Sequence, residues 1–166
     1  SEREDQFHWV GPLFTIHFDF YARKDHGLQL GSLEDAKGVG SIATYKDDVR
    51  EQLLISMGFT NLDSSKSQAS NFKKLMTGRV ALGLFGNLGI PDLARQQGVD
   101  PSDLERVLPF RSYQCYVAIS RSTPVAVVER WQSTLDAMVQ DGTFFHISRR
   151  WLPLNSIPGS SATAPN

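Results

Sequence analysis

A single cysteine, Cys115, stands in a chain of 166 residues, so no internal disulfide can form and no CxxC pair is present to hold zinc or run redox exchange. Excess charge is almost absent too. Seventeen Lys and Arg residues face eighteen Asp and Glu, which leaves no basic surplus for a phosphate backbone, and nucleic acid is excluded as an expected partner. No apolar run approaches the roughly 20 residues that span a bilayer. The N-terminus lacks the basic-then-apolar pattern of a secretion signal, so an exported protein with this start is expected to be a mature or trimmed form. GxSxG, HExxH, P-loop and GxGxxG patterns are missing, which removes the usual signatures of an activated nucleophile, a catalytic metal or a bound nucleotide. His8, His17, His26 and His146 fall at no metal-ligand spacing. The expectation is a protein without metal or cofactor and without catalytic activity.

What is present is enough to build a core: 40% of the residues are apolar and 21% charged, and the length suits one domain or two small lobes. Phe14 to Tyr21 alternates large apolar and mostly polar side chains, the period of a strand with one buried face. Ser32 opens a short turn and helix, and Ser41 to Tyr45 reads as a second strand. Asp47 and Asp48 suit the start of a helix in which Val49, Leu53, Leu54 and Met57 share a face before Gly58. The alternation then repeats: a strand near Leu62, a helix from about Ser67 to Gly78, a strand from Val80 to Phe85, and a helix from Pro91 to Gln97 closed by Gly98. Such alternation implies an α/β fold with a mostly parallel sheet. Asp100 and Pro101 open a helical turn, and Tyr113 to Ile119 reads as a strand. After Pro124, Val125, Val128, Trp131, Leu135 and Met138 form one helical stripe. A shorter helix follows with Thr143 as its cap and Phe144, Ile147 and Trp151 facing inward. The last residues, NSIPGSSATAPN, are small and polar, and a disordered tail is expected.

Five segments, EREDQFHWVGPL (Glu2 to Leu13), ARKDHGLQLGSLEDAKG (Ala22 to Gly38), YKDDVREQLLISMGF (Tyr45 to Phe59), NFKKLMTGR (Asn71 to Arg79) and ERWQSTLDAMVQDGTFFHISRRWLP (Glu129 to Pro153), carry a resemblance. Their order and spacing resemble those of type II periplasmic solute-binding proteins that serve amino-acid-type ABC transporters. The resemblance implies two α/β lobes joined by crossing strands and closing over a ligand. It divides the chain into a first-lobe remnant with a crossing strand (1–17), a second lobe (18–115), a return crossing with C-terminal helices of the first lobe (116–153) and a tail (154–166). Roughly the first third of the family's chain has no counterpart here, so the first lobe is expected to be incomplete. Its apolar surface is then expected to bring copies together as a homo-oligomer or by exchange of segments.

The same resemblance nominates site residues. Arg3 matches the family arginine whose fork holds the α-carboxylate of an amino acid, a task for which planar paired donors are suited; the alternative is a solvated terminal charge. Tyr45, Lys46, Asp47 and Asp48 match the turn at which a helix N-terminus meets that carboxylate. Two aspartates there weaken anion capture, Lys46 partly offsets them, and helix capping is the competing explanation. Gly86 and Asn87 stand where the family often carries an aspartate for the ligand's amino group, so either the ligand is not an ordinary zwitterionic amino acid or binding has been lost. Trp9, with Phe7, Phe14, Tyr21 and Tyr45, could wall a cleft, although for Trp9 and Phe14 a place in the core is the favoured reading. The implied function is extracytoplasmic capture of a small carboxylate-bearing ligand for presentation to an ABC permease. A sensor module of a membrane receptor and a dehydratase-like enzyme on the same fold are the alternatives.

Overall fold

The computed structural model describes residues 4–160. Contacts divide the chain into a central unit, residues 17–111, and a terminal unit made of the residues before and after it. Strand β1 (Phe7–Arg23) runs through the end of one and the start of the other.

In the central unit, helix α1 (Leu33–Gly38) begins at Ser32, whose hydroxyl accepts from the Asp35 amide at 3.2 Å. There follow β2 (Ile42–Tyr45), α2 (Val49–Ser56), β3 (Leu62–Ser65), α3 (Gln68–Met76), β4 (Leu82–Gly86) and α4 (Ile90–Gln97). Ser67 caps α3 through the Ser70 amide. Gly98 closes α4 in the left-handed conformation, with φ of 65°, where a glycine avoids the Cβ clash. A 3-10 turn, Pro101–Asp103, leads into β5 (Leu104–Ser120), which starts nine residues earlier than the strand expected from Tyr113.

The five strands lie in the order β3-β2-β4-β1-β5. β2 is parallel to β3, from Ile42 beside Leu62 to Tyr45 beside Ser65, and parallel to β4, with Ile42 beside Leu82. β1 is antiparallel to β4, pairing Phe18 with Gly86 and Tyr21 with Gly83. The sheet is therefore mixed but mostly parallel, and helices cover both faces. Ala36 of α1 and Leu54 of α2 pack with Phe20, Ile42, Leu82 and Leu84 on one side. Phe72 and Leu75 of α3, with Ile90 and Ala94 of α4, pack with Tyr21, Ala43 and Phe85 on the other. This layering explains why β1 departs from the single buried face that its alternation predicts. As an inner strand it buries Asp19 through Ala22 consecutively, which is the habit of a strand covered on both faces. Tyr21, a candidate cleft-wall residue, is a core residue as a result.

One helix face also differs from expectation. Val49 is exposed, and the inward position of the first turn of α2 belongs to Glu51, buried with Leu54. Periodicity counts carboxylates as outward-facing; this one is drawn in by hydrogen bonds described below.

The terminal unit contains the first part of β1, the last part of β5, α5 (Val125–Gln140) and α6 (Thr143–Ser148). The Gly11 amide donates to Gln132 Oε1 at 3.0 Å, tying β1 to α5. Gly11 has φ of 152°, and a Cβ there would sit 2.6 Å from Cδ1 of Tyr116, so only glycine fits. Only the later part of the expected apolar stripe of α5 holds: Trp131, Leu135 and Met138, with Val10, Leu13, Val117, Val127 and Phe144, line an open groove of about 610 Å³, whereas Val125 is exposed. Trp131 is 57% exposed there, whereas Leu135 is buried. In α6 the N-cap is Gly142, not Thr143; the Thr143 amide is instead bound by Asp141 Oδ1 at 2.8 Å. Ile147 and Trp151, expected to face inward, are exposed, Trp151 at 82%. The expectation of a structureless tail needs correction at its start, because Leu154–Ser156 form a 3-10 turn and Ser156 and Ile157 are buried. The composition of the whole tail conceals one apolar anchor, Ile157, whose carbonyl accepts from Ser160 Oγ at 2.7 Å.

Candidate functional site

Open α/β sheets place their chemistry at the carboxyl ends of parallel strands, where the chain turns into the next helix. In the central unit those ends belong to β3, β2 and β4, and β2 and β4 are adjacent. Tyr45, Lys46, Asp47 and Asp48 follow one, and Gly86 and Asn87 end the other, so six of the eight sequence-nominated residues come to a single edge. Arg3 lies outside the described residues. Trp9 belongs to the terminal unit, where it meets Phe7 edge to face at 5.7 Å between ring centres and is 42% exposed, so it is not a core residue.

The turn after β2 is tightly determined. The Lys46 amide donates to the Ser65 carbonyl at 3.0 Å, prolonging the β2–β3 ladder. Asp47 takes φ of 62°, a left-handed conformation that aspartate tolerates better than most residues. Asp48 caps α2 by accepting from the Arg50 amide at 2.8 Å. Capping by Asp48 is therefore real, and it coexists with the position of the turn at the sheet edge.

Glu51 holds this turn from beneath, and the sequence reading missed it. Its Oε2 accepts from the Asp47 amide at 2.7 Å and its Oε1 from Thr44 Oγ1 at 2.7 Å, with Ser64 Oγ as a third donor. Burial raises the carboxyl pKa, but hydrogen bonds from Ser64, Thr44 and the Asp47 amide, with the Lys46 charge, outweigh it and leave the group below its ordinary value. A signal existed: Asp48 and Glu51 have the spacing of a capping box, in which the third helical residue reaches back to the turn. Here it reaches one residue farther, to Asp47.

A second missed pair is Arg50 and Phe18. The guanidinium carbon lies 3.9 Å from the centre of the Phe18 ring, and Nε and Nη2 both donate to the Asp48 carboxylate. The Arg50 side-chain hydrogen bond, opposed by burial and aided by the backbone bond and the charge, holds the Asp48 carboxyl below its usual range. Phe18 in turn lies against Gly86, where a Cβ would come within 2.9 Å of ring atom Cε1. Asn87 closes the end of the β1–β4 pair by exchanging bonds with His17: its Oδ1 accepts from the His17 amide at 3.1 Å, and its own amide donates to the His17 carbonyl at 2.9 Å.

The remaining buried charge, Asp19, sits deeper in the sheet, with Arg106 Nη1 at 3.6 Å. Burial pushes its carboxyl up, and Arg106, the Phe110 amide and His17 recover only part of that. At the opposite edge of the sheet a hollow of about 540 Å³ is lined by Arg23, Lys24, Asp25, Met76 and Asp103. Two of its four charged side chains, Arg23 and Asp25, pair with each other. Among the described residues no cluster of His, Cys, Asp and Glu could hold a metal, and no helix is long and apolar enough to cross a membrane.

The sequence matches no family model and no curated protein. Solved structures do match its fold. A histidine-kinase sensor domain with similarity to periplasmic binding proteins aligns at a TM-score of 0.67 and 19% identity, over 95% of this chain and 67% of that one. A putative binding component of an ABC transporter from Wolinella succinogenes, complexed with lysine, aligns at 0.69 and 17%, over 91% and 65%. An ancestral amino-acid-binding protein, described as a precursor of cyclohexadienyl dehydratase, aligns at 0.64 and 17%, over 92% and 64%. The chain thus spans about two thirds of the length of each.

Proposed function

We propose that this chain, which has the type II periplasmic-binding-protein fold, is the ligand-capturing part of an extracytoplasmic solute-binding protein that hands a small amino-acid-like carboxylate to an ABC permease. The observation that carries the reading is the convergence of the β2–α2 turn and the β4 end, Gly86 and Asn87, on one sheet edge. Such edges of α/β sheets are where ligands bind. The lysine complex of the ABC-transporter component supports the ligand class and the transport role. In this reading Arg3 grips the ligand carboxylate, and Lys46 and the backbone of the β2–α2 turn assist.

The test is thermal unfolding against a panel of L-amino acids and small carboxylates. A ligand at about 100 times its dissociation constant should add roughly 2.7 kcal/mol of stability, because it binds only the folded state. Arg3→Ala should abolish that shift and leave the ligand-free melting point unchanged, and Lys46→Ala should reduce it less. An Arg3→Ala protein that binds as tightly as the parent refutes the assigned carboxylate grip.

The likeness to a histidine-kinase sensor domain favours a second reading, in which the same capture is reported to a signalling domain. Fusing the chain to its flanking polypeptide and measuring ligand-dependent phosphotransfer separates the two. The dehydratase-precursor likeness keeps a third, enzymatic reading in view; turnover of a prephenate-like acid would establish it.

A further inference from the structure

An aromatic ring face with a carboxylate beside it is what a protein presents to a guanidinium: the ring attracts the cation, and the carboxylate takes two of its N–H donors. Phe18 and Asp48 form such a pair at the site edge, and the guanidinium on them is the protein's own. Arg50 stacks 3.9 Å from the Phe18 centroid. It uses Nε and Nη2 on Asp48, and both charged side chains are 19% exposed.

The support beneath is built to match. The ring rests against the bare α-carbon of Gly86. Asp48 is fixed by its capping bond to the Arg50 amide, and Glu51 holds the preceding residue in place. Arg50 is only two residues from Asp48, so its effective concentration at the slot exceeds that of any free cation. Its charge also cancels that of Asp48, leaving no net negative charge to attract one.

We infer that Arg50 is the built-in occupant of a cation-recognition slot formed by Phe18 and Asp48, and that by filling it Arg50 selects against ligands with cationic side chains. The slot stands on geometry alone; its consequence for ligand selection rests on the function proposed above. Ligands with neutral or acidic side chains are the class that this edge admits.

Methylguanidinium is the probe, because it lacks a carboxylate and reads the slot independently of amino-acid capture. It is titrated into the parent, Arg50→Ala and Arg50→Ala/Asp48→Asn, with the Phe18 ring followed by NMR. Asparagine is as good a helix cap as aspartate, so the double variant removes the charge and keeps the cap. Arg50→Ala should bind the probe about tenfold or more tighter than the parent, and the double variant should lose that gain. A folded Arg50→Ala that binds no tighter, or a double variant that keeps the gain, overturns the slot.

If Arg50→Ala does not fold, the parent decides. Its Arg50 Nε–H signal should exchange slowly with water and carry a ring-current shift that Phe18→Leu removes; a fast-exchanging, unshifted signal overturns the inference. In the amino-acid panel, Arg50→Ala should gain arginine binding relative to glutamine. If the probe results hold while no amino acid stabilises either protein, the slot stands and the transport reading falls. If amino acids bind and the Arg50→Ala protein shows no relative gain for arginine, the selectivity claim falls and the transport reading stands.

Discussion

Replacing Glu51 with alanine strips three donors of their acceptor at once: Thr44 Oγ1 and the Asp47 amide, each at 2.7 Å, and Ser64 Oγ. A hydrogen bond to a charged group contributes about 1.5–3 kcal/mol net, but the three losses are not additive. Asp47 and Ser64 are both exposed, so water can replace Glu51 at both. Thr44 is buried and cannot be resolvated in place. The expected cost of Glu51→Ala is therefore about 3–4 kcal/mol at pH 7. Glu51→Gln keeps the volume and one acceptor but turns an amide nitrogen toward the Asp47 N–H, and about 1–2 kcal/mol should be lost.

The pH dependence supplies the sharper check. Hydrogen bonding holds the folded-state pKa below the ordinary 4.5, so the unfolded chain takes up the proton first as the pH falls. Glu51 therefore contributes stability that is fully present above about pH 4.5 and is lost as the pH drops through the lower folded-state value. Urea unfolding of parent and variants at a series of pH values measures it, and the gap between parent and Glu51→Gln should narrow below that point. A Glu51→Ala cost under about 1 kcal/mol at pH 7, or a gap that stays constant into acid, would refute the account of this turn.

Asp19 should behave in the opposite sense. Its folded-state pKa is raised, by burial first, so the folded state holds the proton longer and stability falls as the pH rises from the ordinary 3.8 through the higher value. Asp19→Asn should remove that decline, a gain on the order of 1 kcal/mol near neutral pH, because Arg106 is half exposed and offsets the buried charge only in part. A parent-minus-variant stability curve that rises with pH would contradict this. Gly86→Ala forces a Cβ to 2.9 Å from the Phe18 ring and should cost about 1–3 kcal/mol while loosening the Arg50 stack. Chemical denaturation and the Arg50 Nε–H shift read the two effects, and a variant as stable as the parent with the stack intact would count against the packing described.

Much of this molecule was legible in local sequence signals because the forces behind them are local. Ser32, Asp48 and Ser67 cap helices as their side-chain oxygens require, Gly98 ends a helix as only a residue without Cβ readily does, and helix-strand alternation yields the mostly parallel sheet. Six of the nominated site residues meet at one edge because they follow adjacent parallel strands, a consequence of connectivity. Periodicity, however, states which residues share a face and not what the face will meet. Only the tertiary structure decided that β1 is an inner strand, so that Asp19 and Tyr21 are buried with Phe20. Only it decided that Glu51 turns inward to three donors and that the later part of the α5 stripe lines an open groove. The same holds for Arg50: two residues from Asp48 it reads as a solvated charge, and it becomes a slot-filling cation only because strand pairing carries Phe18, 32 residues earlier in the chain, to Gly86 beneath it.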